Sequence, residues 1–239
     1  MIKAILNGKD YLYALRFCSS EETRYYLKGS SIEPLPDNSV MMVATDGKVL
    51  GALRLSYPEG MAWGSGANFI LADNKELRRV CKAKRNEEAW IVCHDDKVEV
   101  YLCKGFHPDI ADFSNGAIAG CVAITLPASA AYIDGTFPNW RGVVPSYDKP
   151  DSFKREGTFD TGKPFCVGID PEQLAKFQYD EKPGVYFDWN GTSPAVVVNH
   201  DPRFIGVIMP MCDGIDRDGI AARCREVIAM PASKTEAAA

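Results

Sequence analysis

The stretch Val43-Ala44-Thr45-Asp46-Gly47-Lys48-Val49-Leu50 decides how the chain is read, because it joins two apolar runs through an Asp-Gly pair. Asp and Gly supply the backbone conformations a tight turn needs. The runs at 39–44 and 49–57 then read as strands on either side of it. Upstream lie a strand at 1–6, a helical stretch in which Leu12, Leu15 and Phe17 supply apolar contacts, and further strand signal at 25–33. Downstream, 57–66 holds one proline and three glycines and reads as a linker.

The same order then recurs. A strand at 68–72 leads into a helix at 73–85 with Asp73 as its expected N-cap, and a hairpin follows at 89–95 and 97–103. Strand signal resumes at Cys121, after a polar loop at 104–120 that is longer than most connections in compact domains. Beyond a polar stretch at 146–163 comes a third copy. It has a strand at 165–169, a helix opened by Asp170 as N-cap and Pro171 at the first helical position, and strands at 185–189, 195–200 and 204–209. Asn190-Gly191 supplies turn chemistry, 220–230 reads as a terminal helix, and the residues after it read as a loose tail. Repeated βαβββ units of this kind imply an α+β protein with helices on one face of antiparallel sheets.

Bulk properties narrow the class. The 239 residues are 46% hydrophobic and 25% charged, ordinary for a chain that buries a core. The formal net charge is −5, so any nucleic-acid surface must come from local clustering of the basic residues. The eight cysteines include no CxxC pair and read as reduced thiols of a cytoplasmic protein, with a disulfide framework as the alternative. No signal peptide and no apolar run of about 20 residues is evident, so no membrane partner is expected.

Three motifs carry a resemblance. Arg24-Tyr25-Tyr26-Leu27-Lys28-Gly29 with the 43–50 stretch is similar to the paired strands that begin the middle domain of bacterial DNA polymerase III beta subunits, the sliding clamps. Ile133-Asp134-Gly135-Thr136-Phe137-Pro138-Asn139-Trp140-Arg141-Gly142-Val143-Val144-Pro145 resembles the end of that domain. Phe204-Ile205-Gly206-Val207-Ile208-Met209-Pro210-Met211 resembles the family's closing strand. The resemblance implies a DNA-clamp fold in a shortened form. Residues 1–145 would be one clamp domain of two repeats (1–60 and 67–145), 146–163 a linker, 164–212 a third clamp-like repeat, and 213–239 a helix and tail. The chain departs from the family at Val49 and Gly142, where basic residues are usual, and at Cys212-Asp213, where the family ends.

The implied function is that of a DNA sliding clamp, a replication processivity factor that encircles duplex DNA and tethers a polymerase. Holding DNA without reading it calls for cations directed at phosphates. Lys75, Arg78, Arg79, Lys82, Lys84 and Arg85 crowd the second helix against Asp73 and Glu76. By resemblance Lys9, Arg16 and Lys176 add charge from the other helices, and Arg24 and Lys48 are further DNA-facing candidates. A solvated helix face is the bland reading of such a run. By the same resemblance Thr45, Gly47, Leu50, Pro138, Val143, Val207, Met209, Pro210 and Met211 form an apolar pocket for a polymerase or clamp-loader peptide. Plain core is the alternative for Val207 and Met209. The family's closed rings hold twelve repeats, so three repeats per chain imply a homotetramer. A dimer with a hidden fourth repeat is the alternative, and a non-ring regulator built from clamp-like repeats is a third.

Rival chemistry is thin. His94, His107 and His200 stand far apart without metal-motif spacing, and 213–219 fails the calcium-loop pattern because its ligand positions would fall on Gly214 and Arg225. Gly64-Ser65-Gly66 lacks a phosphate loop's Lys-Ser/Thr, and Asp46 and Asp134 have structural reasons to sit before glycine in turns. No catalytic residue, metal or cofactor is expected. A small cytosolic enzyme with dispersed catalytic residues is the reading from another class.

Overall fold

Asn7 ends the first strand and starts the first helix with one side chain. Strand β1 (Ile2–Asn7) runs into α1 (Gly8–Ala14), where Asn7 Oδ1 accepts the Lys9 backbone N–H at 2.8 Å. The computed structural model describes residues 2–37, 39–55, 67–82, 87–104, 122–144, 169–179, 184–188 and 194–209. The 104–120 loop beyond its first residue, the 146–163 stretch and the 220–230 helix expected from sequence lie outside them.

After α1 the chain tightens into a 3-10 turn at Leu15–Phe17. A second such turn, Tyr25–Leu27, replaces the expected start of a strand, and β2 begins only at Gly29 (Gly29–Pro34). The reason is packing. The turn drops Leu27 into the core at 3% exposure while Tyr25 stays outside at 54%. Strands β3 (Val40–Thr45) and β4 (Val49–Leu55) then flank the Asp-Gly turn.

The second copy contains β5 (Phe69–Ala72), α2 (Lys75–Cys81), β6 (Glu87–His94), β7 (Lys97–Lys104) and β8 (Val122–Pro127). A short helix α3 (Ala128–Ala131), a two-residue strand β9 (Tyr132–Ile133) and a 3-10 turn at Trp140–Val143 follow, none of them expected from the sequence. The cap of α2 is Asn74 and not Asp73. Asn74 Oδ1 accepts from the N–H groups of Glu76 and Leu77 at 2.8 and 3.3 Å, while Asp73 is taken up by Arg78. The helix ends at Cys81 with Lys82 as C-cap, short of the expected 85. The third copy supplies α4 (Pro171–Ala175), capped by Asp170 as expected, then β10 (Tyr186–Asp188), β11 (Ala195–Val198) and β12 (Phe204–Ile208). Of the strand expected at 165–169 only Ile169 is described, and it is not in a strand.

The repeats exchange strands. One sheet has the order β1-β6-β7-β8 and the other β10-β11-β12-β4-β3-β2-β5-β9, every neighbouring pair antiparallel. The first strand of each of the first two repeats therefore lies in the other's sheet. The third repeat joins through β12, which pairs with β4 from Phe204 opposite Leu53 to Ile208 opposite Val49.

The helices and one face of both sheets share one apolar core that includes Tyr11, Phe17, Met42, Leu53, Leu77, Ile91 and Phe177. Each of the largest of these contributes about 1.5–3 kcal/mol by burial. Polar ties also join α1 to the third repeat. The Tyr13 hydroxyl donates to the Phe177 carbonyl at 2.9 Å, and Arg203 bonds both oxygens of buried Asp10 at 3.0 Å as well as Asp201. No described helix is long and apolar enough to cross a membrane. Cys18, Cys81, Cys93 and Cys103 are free thiols, and burial pushes Cys18, Cys81 and Cys93 up to about 12.

Candidate partner-binding cleft and cationic surface

The turn between β3 and β4 is held by its own side chains. Thr45 Oγ1 donates to the Val49 carbonyl at 2.6 Å and accepts the Gly47 N–H at 3.0 Å, while Asp46 Oδ1 accepts the N–H groups of Lys48 and Val49 at 2.8 and 2.9 Å. Gly47 has φ +90°, a conformation glycine adopts without steric cost, and a Cβ there would meet Arg24 Nη1 at 2.7 Å. The other Asp46 oxygen receives Lys176 Nζ at 2.7 Å. Burial pushes the Asp46 carboxyl up, but the Lys176 hydrogen bond and the two backbone N–H groups outweigh it and hold the group below its ordinary value.

On the sheet face turned away from the main core, Val43, Leu50, Ala52, Trp140 and Val207 form a second apolar cluster with Phe137 and Val144 beside it. Strand alternation produces this: Leu53 and Phe204 face the main core while Leu50 and Val207 face the other way. Trp140 is fixed by its indole N–H, which donates to Glu33 Oε1 at 2.9 Å, and Arg141 reaches the other Glu33 oxygen at 2.7 Å with its guanidinium 4.3 Å from the Trp140 ring centre.

Above this cluster opens a cleft of about 350 Å³. Thr45, Gly47, Leu50, Pro138, Val143, Val207 and Met209 all line it, so three segments far apart in sequence converge there. Pro210 and Met211 lie outside the described residues. Val207 and Leu50 are buried in the floor, whereas Val143 and Met209 stand 46% and 47% exposed at the mouth. The sequence reading missed Tyr26, Leu27, Val49, Asn139 and Trp140 as lining residues. Two residues it assigned to DNA, Arg24 and Lys48, line the same cleft and give it a cationic border. Their adjacency in sequence to the Tyr-Tyr-Leu turn and the Asp-Gly turn was the available signal.

The cations expected to face DNA divide into two groups. Lys9, Lys75 and Lys82 are exposed, with no ion pair seen among the described residues. Lys48 is exposed as well, at the border of the cleft, whereas Arg78, Arg79, Arg16 and Lys176 are engaged. Arg78 forms a two-pronged contact with Asp73, whose hydrogen bond raises the guanidinium pKa, and Arg79 pairs with Glu76 at 2.7 Å. Arg16 donates to the Gln178 carbonyl at 2.5 Å, and half-buried Lys176 is committed to Asp46. Lys84 and Arg85 lie outside the described residues. Helix α1 packs closely on both β6 and α2, since a Cβ at Gly8 would stand 2.8 Å from Ala89 Cβ of β6 and 3.2 Å from Cys81 Cβ of α2.

Among the described residues no three metal-ligating side chains converge. His94 is largely covered and sits 3.0 Å from Glu99. His107 lies outside the described residues.

No protein-family model matches the chain, and no curated protein matches it. Solved structures do match in fold. The Caulobacter crescentus pol III beta structure aligns with a TM-score of 0.56 at 20% identity, covering 87% of this chain and 64% of that one. The sliding clamp of Bartonella birtlesii bound to griselimycin aligns at 0.55 and 18%, covering 87% and 65%. A Pseudomonas aeruginosa DNA polymerase sliding clamp with ligand aligns at 0.55 and 15%, covering 88% and 66%. The chain thus has the sliding-clamp fold and spans just under two thirds of the length of these structures.

Proposed function

Starting from the sliding-clamp fold, we propose that the chain is a cytoplasmic DNA sliding clamp: it surrounds duplex DNA without reading its sequence, performs no chemistry, and tethers a DNA polymerase through the apolar cleft. A clamp loader is a second occupant of the same surface. The observation that carries this reading is the convergence of the 43–50, 137–143 and 204–209 segments on one cleft with an apolar floor. A short hydrophobic peptide suits that floor, and Met209 at the mouth adapts to several shapes. Lys9, Lys75 and Lys82 are exposed cations available for phosphates. Four chains supply the twelve repeats of a closed ring, with a dimer as the alternative assembly.

The test is retention on circular DNA. A clamp stays on a closed circle in salt that screens phosphate contacts and slips off when the circle is linearised. Equal loss from circles and linear DNA sinks the encirclement.

A second reading, a non-ring module that binds partner proteins, is favoured by the pairing of Arg78, Arg79 and Lys176 with carboxylates in a chain of net charge −5. It requires peptide binding without DNA retention.

A further inference from the structure

The third repeat holds the turn between β3 and β4 from two sides. On the backbone side, β12 pairs Ile208 with Val49, and the Met209 N–H donates to the Lys48 carbonyl at 2.8 Å. On the other side, Lys176 Nζ donates to Asp46 Oδ2 at 2.7 Å. Lys176 is the C-cap of α4, and its neighbour Phe177 is buried in the main core. The ion pair is shielded: its side chains are 23% and 13% exposed, against 70% and 52% for Arg79 and Glu76.

The turn held in this way is also a wall of the cleft, where Thr45, Gly47, Lys48, Val49 and Leu50 all stand. Its shape depends on the Asp46 carboxylate. One oxygen accepts the Lys48 and Val49 N–H groups, and rotation of the side chain would release both. Lys176 holds the other oxygen and so fixes the plane of the carboxylate. Gly47, at φ +90°, is the residue of the turn with most backbone freedom to lose. A turn ordered in advance spares an incoming ligand that entropic cost.

The same geometry argues against two other roles for Lys176. Turning to a phosphate would leave a largely covered carboxylate without its charge partner, which is costly. Docking of the third repeat does not depend on it either. The β4 to β12 ladder, the burial of Phe177, the Arg203 contact with Asp10 and the Tyr13 hydroxyl bond to the Phe177 carbonyl all act without it.

We infer that Lys176 is a positioning residue for partner binding: through Asp46 it sets the turn that walls the cleft, so the third repeat controls the cleft's affinity for a hydrophobic peptide. This rests on the cleft reading above and names a residue that regulates it.

The experiment is an anisotropy titration of a short fluorescein-labelled peptide of leucine, phenylalanine and serine with the full chain and its variants. Lys176→Met should weaken binding roughly two- to thirtyfold. Lys176→Arg, which keeps the charge and the donors, should restore most of the affinity. Tyr13→Phe loosens the third repeat away from the turn, and should lower the melting temperature without changing the affinity. The salt slope of DNA binding should be the same in Lys176→Met as in the unmodified chain. Equal loss of affinity in Tyr13→Phe and Lys176→Met, or no rescue by arginine, overturns the positioning role. So does a salt slope lowered by about one counterion with peptide affinity intact, which makes Lys176 a phosphate ligand. NMR of the lysine ammonium groups in the unmodified chain guards against a variant that fails to fold: the peptide should shift the Lys176 signal, and an unmoved signal overturns the role. An unmodified chain that takes up no hydrophobic peptide defeats the cleft reading and this role together, whereas peptide binding that Lys176→Met leaves intact defeats this role alone.

Discussion

Gly51 of β4 and Gly206 of β12 stand directly opposite one another, and the rings of Phe17 and Phe177 fill the space their side chains leave. A Cβ at Gly51 would come within 2.5 Å of Phe17 Cδ2, and one at Gly206 within 2.3 Å of Phe177 Cε1. Both rings are fully buried and meet each other edge-on at 5.2 Å, so neither has room to retreat. Gly51→Ala or Gly206→Ala should each destabilise the fold by about 1–3 kcal/mol through overpacking. Urea denaturation reads this as a lowered midpoint, and an unchanged midpoint would mean that the core yields there.

The Asp46–Lys176 pair makes stability depend on acid. The folded Asp46 carboxyl lies below its ordinary value of 3.8, so its contribution is complete above that value and is lost as the pH falls through the lower folded value. Asp201 shifts in the same direction: burial raises it, and hydrogen bonds from Arg203 lower it more. Asp46→Asn should cost about 1–3 kcal/mol at neutral pH, leaving Lys176 without its charge partner, and should flatten the acid limb of the stability curve. Parallel pH-dependent denaturation of the two proteins checks both effects.

Val143 stands at the mouth of the cleft and contributes little to the core. Val143→Lys should weaken binding of a fluorescent hydrophobic peptide by roughly tenfold or more while leaving the melting temperature unchanged. Trp140→Ala should abolish binding as well, but with a stability loss, because Glu33 and Arg141 lose the ring they hold. Unaltered peptide affinity in Val143→Lys would remove the cleft from consideration.

The division among the basic residues predicts unequal effects on DNA. Lys75→Glu and Lys82→Glu should each weaken binding and reduce the salt slope by about one counterion. Arg79→Glu should do less, since Glu76 already neutralises that guanidinium. Equal slopes for all three variants would mean that these ion pairs open on DNA.

The elements were legible because period-two and helical patterns lie within a few residues of one another. Asp170-Pro171 marked a helix start correctly, and the Asp-Gly turn fell where it was expected. Partnership was not legible: nothing local to Ile2–Asn7 says that it pairs with β6, because alternation specifies which face is buried and not which strand is adjacent. Asp73 and Asn74 are both good caps, and only the reach of Arg78 separates them. The cleft residues followed from motifs, whereas Trp140 was missed as a wall because its anchor, Glu33, lies more than a hundred positions away. Arg24 and Lys48, expected to face DNA, also line the cleft, and a cation's type alone does not reveal that it borders such a face.

The exchange of β1 and β5 has a consequence for the continuity of the chain. Ile2 meets His94, and Gly29 meets Ala72. During synthesis, the first strand therefore waits for most of the second repeat before it has a neighbour. Conversely, a break in the peptide backbone between β4 and β5 would not free either piece. Each fragment would still hold a strand in the other's sheet, so a nicked protein would stay knitted together until it unfolded, and two separately made halves would have the interlocking edges needed to reassemble.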